Sequence, residues 1–428
     1  MNRPLVERVG DGFQFTWAAE GIEASLDRLR EDRSGLSAEI VVNSNVTGKE
    51  GLLHMGRLNL LAASTRASTA KQLGARLKGP DWHGMLEQLC FIAVQHYREG
   101  RPLVDLSQEP LPERPRWLHW PYVEDGQERD DAPGPSVFYG DGDSGKSLLA
   151  LRVALGVALG APRGPGQGSA PSAKVLYLDW ETSRATHTER LHALCAGLRI
   201  ERLAMPPLYY LRMDASLPQS ADAIRRRIVQ AGIGFVVIDS AGFAGGGAPE
   251  EAATALELYG AVRKLAVPAL LVHHKRKGTG FKAGGKDELY GSVYWHNGAR
   301  NVWEITGAKD EQEQELTIGL IHRKSNNGWL EKRHAYRLQF SNDDLGRTER
   351  IDVEKLDYAD VPQFAADMPL RSRILHELQS GALTSSELAE TLGEKQQSIQ
   401  ARLTELRKRE RVLSLPDHKW GLPARIAA

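Results

Sequence analysis

The stretch Ser136-Val-Phe-Tyr-Gly140-Asp-Gly-Asp-Ser-Gly145-Lys146-Ser147-Leu-Leu-Ala150 decides how this chain is read. It fits G-x-x-x-x-G-K-[ST] at every fixed position, with an apolar run before it. Leu148, Leu149, Leu151 and Val153 follow with helical apolar spacing. The order predicted is strand, glycine loop, helix. Gly140 and Gly145 are expected to adopt backbone angles that turn consecutive amides inward, forming a nest for phosphate oxygens. The helix opening behind the loop adds its positive end. Gly140, Asp141, Gly142, Asp143, Ser144, Gly145, Lys146, Ser147 and Leu148 are therefore the expected nucleotide-binding set. Lys146 would neutralise the outer phosphates of ATP, and Ser147 is placed to ligate Mg²⁺. The alternative is a glycine turn capping an ordinary helix; the strand and helix patterns on either side weigh against it.

Composition sets the bounds. A chain of 428 residues holds two or three domains. Its 55 basic and 55 acidic side chains cancel, so any nucleic-acid surface must be local. Cys90 and Cys195 stand far apart without metal-ligand spacing, which suits core thiols in a reducing cytosol. The first residues lack the apolar run of a signal peptide, and no stretch approaches about 18 apolar residues. A cytoplasmic protein without a membrane partner is the expectation.

Residues 1–107 read as a small α+β domain of unassigned role. Ile22–Leu26 and Leu36–Val42 alternate as strands around Glu31–Gly35, and helices are expected at Thr65–Leu77 and Met85–Arg98, the second announced by Asp81. Trp82, His83 and His96 lack metal-ligand spacing. Residues 108–135 are rich in proline and charge and mark a linker; 161–173 is a second loose stretch. From 136 to about 360, strands alternate with helices, the signature of a mostly parallel α/β sheet. Val175–Leu178, Phe235–Ile238, Pro268–Val272 and Glu315–Ile321 are its expected strands.

Ligands of open α/β sheets bind at the carboxyl ends of strands, so the residues after each apolar run matter. They are Asp179-Trp-Glu181-Thr182, Asp239-Ser240 and His273-His274-Lys275. Asp239 fits a carboxylate that holds Mg²⁺, directly or through water; the alternative is a turn cap. Glu181 is placed to orient or deprotonate the attacking water, with Asp179 the rival base and a surface ion pair the alternative. His273 or His274 would sense the γ-phosphate, unless the pair is structural.

A phosphate loop, a glutamate on the following strand and an aspartate ending a later one resemble the RecA-like ATPases. The nearest resemblance is to the hexameric plasmid replicative helicase RepA group rather than to the AAA+ group, and it covers about residues 130–340. Gly291-Ser-Val-Tyr-Trp-His-Asn-Gly-Ala-Arg300 is similar to that group's Gly-Ser, short helix, Ala-Arg segment. Leu320-Ile-His-Arg323-Lys324-Ser-Asn326-Asn-Gly328 resembles its Lys-x-Asn hairpin, where DnaB-type and RadA-type relatives carry a second basic residue. The resemblance implies a homo-oligomer, a hexamer, in which Arg300 reaches the neighbouring subunit's nucleotide as an arginine finger, helped by Lys324 and Arg323. The alternative for Arg300 is a surface ion pair.

Residues 275–290, KRKGTGFKAGGKDELY, combine five basic residues, four glycines and a phenylalanine. That suits a loop tracking a single-stranded backbone, through Lys275, Arg276, Lys277, Lys282 and Lys286. RecA-like proteins carry DNA-contacting loops at this position; the alternative is a solvated charge run. The glycine-rich 241–247 stretch takes the other loop position. Residues 366–428 are similar to a winged helix-turn-helix: three helices at Leu370–Leu378, Thr384–Leu392 and Gln396–Arg409, then a hairpin. Its third helix would offer Lys395, Gln397, Gln400 and Arg407 to duplex DNA, or the module would dock a protein. The combined expectation is an Mg²⁺-dependent oligomeric ATPase acting on DNA, as helicase or single-strand translocase. The alternatives are an ATP-switched DNA-binding regulator and a regulatory ATPase acting on proteins, as in circadian-clock relatives.

Overall fold

A computed structural model describes residues 3–423 except 10–11, 34, 101–102, 104, 109–133, 161–171, 276–288, 311, 313, 327–328 and 366–367. Alternation of apolar and polar residues, interrupted at two register shifts, builds the first unit. Strands β1 (Leu5–Val9), β2 (Gly12–Trp17), β3 (Ile22–Asp32), β4 (Gly35–Ser44) and β5 (Gly51–Asn59) form an antiparallel sheet in chain order. Phe13, Phe15, Trp17, Ile22, Ala24 and Leu26 fall on one face by the two-residue period. Helices α1 (Ala63–Arg76) and α2 (Trp82–Glu99) cover that face with Leu73, Met85 and Leu89. The hairpin expected around residues 31–35 is β3–β4, with Asp32 opposite Gly35. Asp81 caps α2, accepting the Gly84 N–H at 3.0 Å. Strands β1, β2 and β5 were not anticipated. Asp27 in β3 makes an ion pair with Arg226 of the central unit.

The central unit runs β6 (Ser136–Gly140), α3 (Lys146–Leu159), β7 (Lys174–Asp179), α4 (Arg184–Gly197), β8 (Leu208–Arg212), α5 (Leu217–Ala231), β9 (Ile233–Asp239) and α6 (Ala241–Gly245). It continues with α7 (Ala252–Leu265), β10 (Ala269–His274), α8 (Tyr294–Gly298), β11 (Asn301–Asp310), β12 (Glu315–Ser325), β13 (His334–Asn342) and β14 (Thr348–Leu356). Across the sheet the order is β14-β13-β12-β11-β6-β10-β9-β7-β8. The pairings from β11 to β8 are parallel, and those from β11 outward to β14 are antiparallel. The parallel strands are continuous apolar runs because helices cover both faces. Phe138, Val175, Tyr177, Phe235 and Val237 face α3 and α4, whereas Val137, Leu176, Leu178, Val236 and Ile238 face α5 and α7. Each large apolar side chain buried this way contributes about 1.5–3 kcal/mol. Glu315–Ile321, expected to complete the alternating set, lies in β12 on the antiparallel side. It follows β11 across a short turn, with no crossover helix to make it parallel.

The C-terminal unit has α9 (Pro362–Ala365), α10 (Leu370–Glu377), α11 (Ser385–Leu392), α12 (Gln396–Lys408) and a small sheet of β15 (Leu383–Thr384), β16 (Leu413–Ser414) and β17 (Lys419–Gly421), ordered β15-β17-β16. Thr384 and Glu387 form a reciprocal capping box, and Gly393 ends α11 in the left-handed conformation. Ile374, Leu388, Ile399 and Leu403 make its core. Both cysteines are buried, and burial pushes the Cys90 thiol up to about 12. Among the described residues no helix is long and apolar enough to cross a membrane.

Candidate nucleotide site

Register brings the chemistry to one end of the parallel strands. Asp179 of β7 lies opposite Asp239 of β9, Asp239 opposite Val272 of β10, and His274 opposite Gly140 of β6. The two glycines of the loop have different duties. Gly145 takes φ 83°, the left-handed conformation expected of it, and opens α3. Gly140 instead permits a close approach: a Cβ there would sit 2.1 Å from the Ile305 carbonyl oxygen. Its expected backbone role is therefore replaced by a packing role. The positive angle that turns the loop before Ser144 belongs to Asp143, at φ 61°.

Lys146 is buried, and its ammonium donates to the Asp141 carbonyl and, at 3.5 Å, to Ser144 Oγ. Burial lowers its pKa, opposed by the nearby carboxylates of Asp239, Glu181, Asp141 and Asp143. An ammonium resting on the loop's own neutral oxygens is a group that phosphate oxygens can take over. Asp239 is 1% exposed. Tyr177 donates its hydroxyl to Asp239 Oδ2 at 2.6 Å, and the Ser147 hydroxyl also bonds this carboxylate. Burial nonetheless raises the Asp239 pKa. A hydroxyl and a carboxylate in contact suit Mg²⁺, which keeps waters and shares phosphate oxygens.

Hydrogen bonding separates the two candidate bases. Asp179 is fully buried; Oδ1 accepts the N–H groups of Glu181 and Thr182 at 2.9 and 3.0 Å, and Oδ2 accepts Tyr210 at 2.9 Å. Burial pushes its pKa up, but bonds from His187, the two amides and Tyr210 outweigh that and hold it well below the carboxylate range. This carboxylate is committed to shaping the turn that carries Glu181. Glu181 itself lines the cleft, accepting from Ser240 Oγ and lying 3.3 Å from His274 Nε2. The bond to His274 leads the causes that lower its pKa, against burial.

His273 and His274 also divide. His273 is buried edge-on against Trp295 (4.6 Å between rings), its Nδ1 accepts the His274 N–H at 2.7 Å, and burial drops its pKa to about 3. His274 faces the cleft beside Glu181.

The cleft holds about 520 Å³ and includes four residues that sequence reasoning missed: Arg190, Lys309, Leu316 and Phe340. Lys309 lies 3.7 Å from Asp143. Leu316 and Phe340 come from β12 and β13 and give the cleft an apolar wall beside the loop, with Arg190 of α4 on its rim; no motif marks any of them. Such a wall fits the flat face of a base. Phe340→Ala is expected to raise KM for ATP about three- to ten-fold with kcat unchanged, which steady-state kinetics would read directly. Inhibition by tripolyphosphate, which has no base, should not change. A cleft of similar size, about 550 Å³, lies in the first unit between Leu60, Arg66, Cys90 and Phe91, but it holds no comparable set of groups.

At the opposite end of the strands stands Arg300. It precedes Asn301, which pairs with Ser136 at the start of β6, so about 13 Å of strand separates it from Gly140. Its side chain is exposed and has no partner among the described residues. Lys324, expected to assist it, gives its ammonium to the carbonyls of His296, Asn297 and Ala299 at 2.9, 3.1 and 2.7 Å, holding the end of α8 that leads into Arg300. Arg323 and Lys275 converge on buried Glu304, Lys275 at 2.7 Å. Burial would raise the Glu304 pKa, but these two cations outweigh it and lower it. Thus Lys275, expected on DNA, is tied to Glu304, and its backbone N–H donates to the Gly140 carbonyl at 2.9 Å. Arg276, Lys277, Lys282 and Lys286 lie outside the described residues. Lys395 and Arg407 are exposed on or beside α12.

Residues 102–280 match the family described as AAA domain. With the loop, the paired Ser147 and Asp239, and Glu181 converging on one cleft, the central unit is a P-loop ATPase domain. The family's description is that of an AAA domain and not of the RepA group. None of the curated proteins matches the chain. Among solved structures, the KaiC-like protein of the hyperthermophilic archaeon Pyrococcus horikoshii OT3 is similar at 15% identity and a TM-score of 0.36, over 57% of this chain and 100% of that one.

Proposed function

We propose that the chain is an oligomeric, Mg²⁺-dependent ATPase that acts on DNA, a RecA-like ring of the helicase or single-strand translocase kind. The observation that carries this reading is the position of Arg300: a cation without a partner among the described residues, at the end of the sheet remote from its own phosphate loop. Such a group can serve a nucleotide only across a boundary between copies. The residues of one copy divide the rest of the work. Loop amides and Lys146 bind the phosphates. Ser147 and Asp239 would hold Mg²⁺, which supplies charge neutralisation between the outer phosphates when bound. Glu181, held by Ser240 and His274, takes the proton of the attacking water.

The DNA part of the reading rests on the basic 275–290 segment. Its two feet, Lys275 and Leu289, pair with each other, and Lys275 is bonded to Gly140 at the phosphate loop. A change of nucleotide state at the loop therefore bears directly on the base of that segment. The C-terminal unit, read as a winged helix, would add a duplex or protein contact through Lys395 and Arg407.

The deciding test is ATP hydrolysis with and without single-stranded DNA, for the native chain and Lys146→Ala, at two salt concentrations. Stimulation that disappears in the variant and weakens with salt is expected. Hydrolysis indifferent to DNA would sink the motor reading in favour of a regulatory ATPase acting on proteins. Preference for a duplex sequence without strand displacement would favour an ATP-switched regulator.

A further inference from the structure

Tyrosine-to-carboxylate hydrogen bonds repeat across neighbouring strands. Tyr177 of β7 donates its hydroxyl to Asp239 of β9 at 2.6 Å, and Tyr210 of β8 donates to Asp179 of β7 at 2.9 Å. Register produces the repeat. Tyr210 lies opposite Tyr177, Tyr177 opposite Val237, and Asp179 opposite Asp239. Each tyrosine therefore starts one strand away from its carboxylate and two residues before it, on the same face. The Tyr177 hydroxyl also lies 3.4 Å from the Ser147 carbonyl, at the phosphate loop. One bond thus holds Asp239 beside Ser147. The other holds Asp179, whose Oδ1 fixes the amides of Glu181 and Thr182.

His187 touches both pairs. It stands near the start of α4 and is buried. Its ring centroid is 4.5 Å from that of Tyr177 and 5.6 Å from that of Tyr210. Its Nε2 lies 3.4 Å from Asp179 Oδ2, at the long edge of hydrogen-bonding distance. As core filling the imidazole is costly: with Nε2 turned to Asp179, Nδ1 is buried with no partner among the described residues. A phenylalanine would pack against both tyrosines without that cost. One turn later on the same face of α4, Arg190 stands on the cleft rim. One side chain thus joins a nitrogen directed at Asp179 to a ring packed on Tyr177.

We propose that His187 is a positioning residue for hydrolysis, its nitrogen steadying the turn that aims Glu181 and its ring steadying the tyrosine that holds Asp239. Base and Mg²⁺ site then keep one spacing, and a displacement of about 1 Å at such groups costs about 10²-fold in rate. The proposal rests on the reading of Glu181 as the base and Asp239 as a holder of Mg²⁺. It adds the group that sets the two relative to each other.

Two substitutions separate the nitrogen from the ring. His187→Phe keeps a ring against Tyr177 and loses the hold on Asp179; at saturating Mg²⁺ it is expected to lower kcat about 10–100-fold with KM for ATP unchanged. His187→Gln keeps a donor for Asp179 and loses the ring, so kcat at saturating Mg²⁺ should stay within about three-fold of native. Its Mg²⁺ requirement should change instead. The Mg²⁺ concentration that half-maximally strengthens binding of a fluorescent, slowly hydrolysed ATP analogue should rise about ten-fold, and binding with a chelator present should not move. The His187→Phe/Glu181→Gln double variant should turn over no slower than Glu181→Gln alone, because His187 acts through the base. The reverse order, Phe near native and Gln impaired in kcat, is that of a packing residue and would overturn the proposal. So would two variants that behave as native, or losses that multiply in the double variant; each leaves Glu181 standing as the base if Glu181→Gln is inactive. Near-native turnover in Glu181→Gln would remove the reading beneath the proposal as well.

Discussion

Replacing Arg300 by Ala is expected to lower ATP turnover by about 10³–10⁵-fold, the range for an arginine that neutralises charge developing on a transferring phosphoryl group. Nucleotide binding by a single copy should not change, because Arg300 sits at the amino end of β11 and the phosphate loop at the carboxyl end of β6. An arginine acting on its own chain's nucleotide, or one serving only as a surface ion pair, would not give this combination. Lys324→Ala is a useful contrast. Its ammonium holds three carbonyls at the end of α8, so its loss should disturb the placement of Arg300 and lower turnover less. The sharper measurement is mixing. Arg300→Ala chains keep Glu181 and lack the arginine; Glu181→Gln chains keep the arginine and lack the base. Each is inactive alone. In a head-to-tail assembly, about a quarter of the randomly formed sites would draw Glu181 from the first and Arg300 from the second. Turnover that reappears on mixing, in proportion to assembly, supports a site shared between copies; a mixture as inactive as its parts excludes it.

The parts legible in the sequence are those where one strand or loop carries the whole signal. The phosphate loop is contiguous, and the parallel strands read as unbroken apolar runs because both faces are covered, so their polar ends at Asp179, Asp239 and His274 stand out. What stayed illegible depends on contacts between distant segments. Asp179 and Glu181 are two residues apart and chemically alike; only the amides of the Glu181 turn and the hydroxyl of Tyr210 reveal that Asp179 is committed. Gly140 looked like a turn glycine and is one that lets the Ile305 carbonyl approach. Leu316 and Phe340 reach the cleft from β12 and β13, whose mixed polar and apolar residues gave no hint of a nucleotide wall. Arg323 and Lys275, expected at a neighbouring nucleotide and on DNA, instead converge on Glu304, a buried carboxylate in the largely apolar first half of β11.

Glu181→Gln is the second large effect. The amide keeps the shape of the side chain and can still accept from Ser240, yet it cannot take a proton, so turnover should fall by about 10²–10⁴-fold with nucleotide affinity intact. The pH dependence adds a test that a purely structural role would not pass. His274, Ser240 and Lys146 face Glu181 from β10, from the turn after β9 and from α3, and the His274 bond is the largest cause that lowers its pKa. A base works in its deprotonated form, so activity is lost as pH falls through this pKa, and a lowered pKa places that acid limb below the ordinary carboxylate range. His274→Ala removes the largest lowering cause while burial remains, so the limb should move to higher pH. A pH profile of kcat for the native chain and this variant reads the shift directly. If the limb stays in place while kcat falls, His274 acts on the nucleotide and not through Glu181. If Glu181→Gln leaves kcat within a few-fold of native, the attacking water is activated by some group other than Glu181, and the division of labour between Asp179 and Glu181 falls with it.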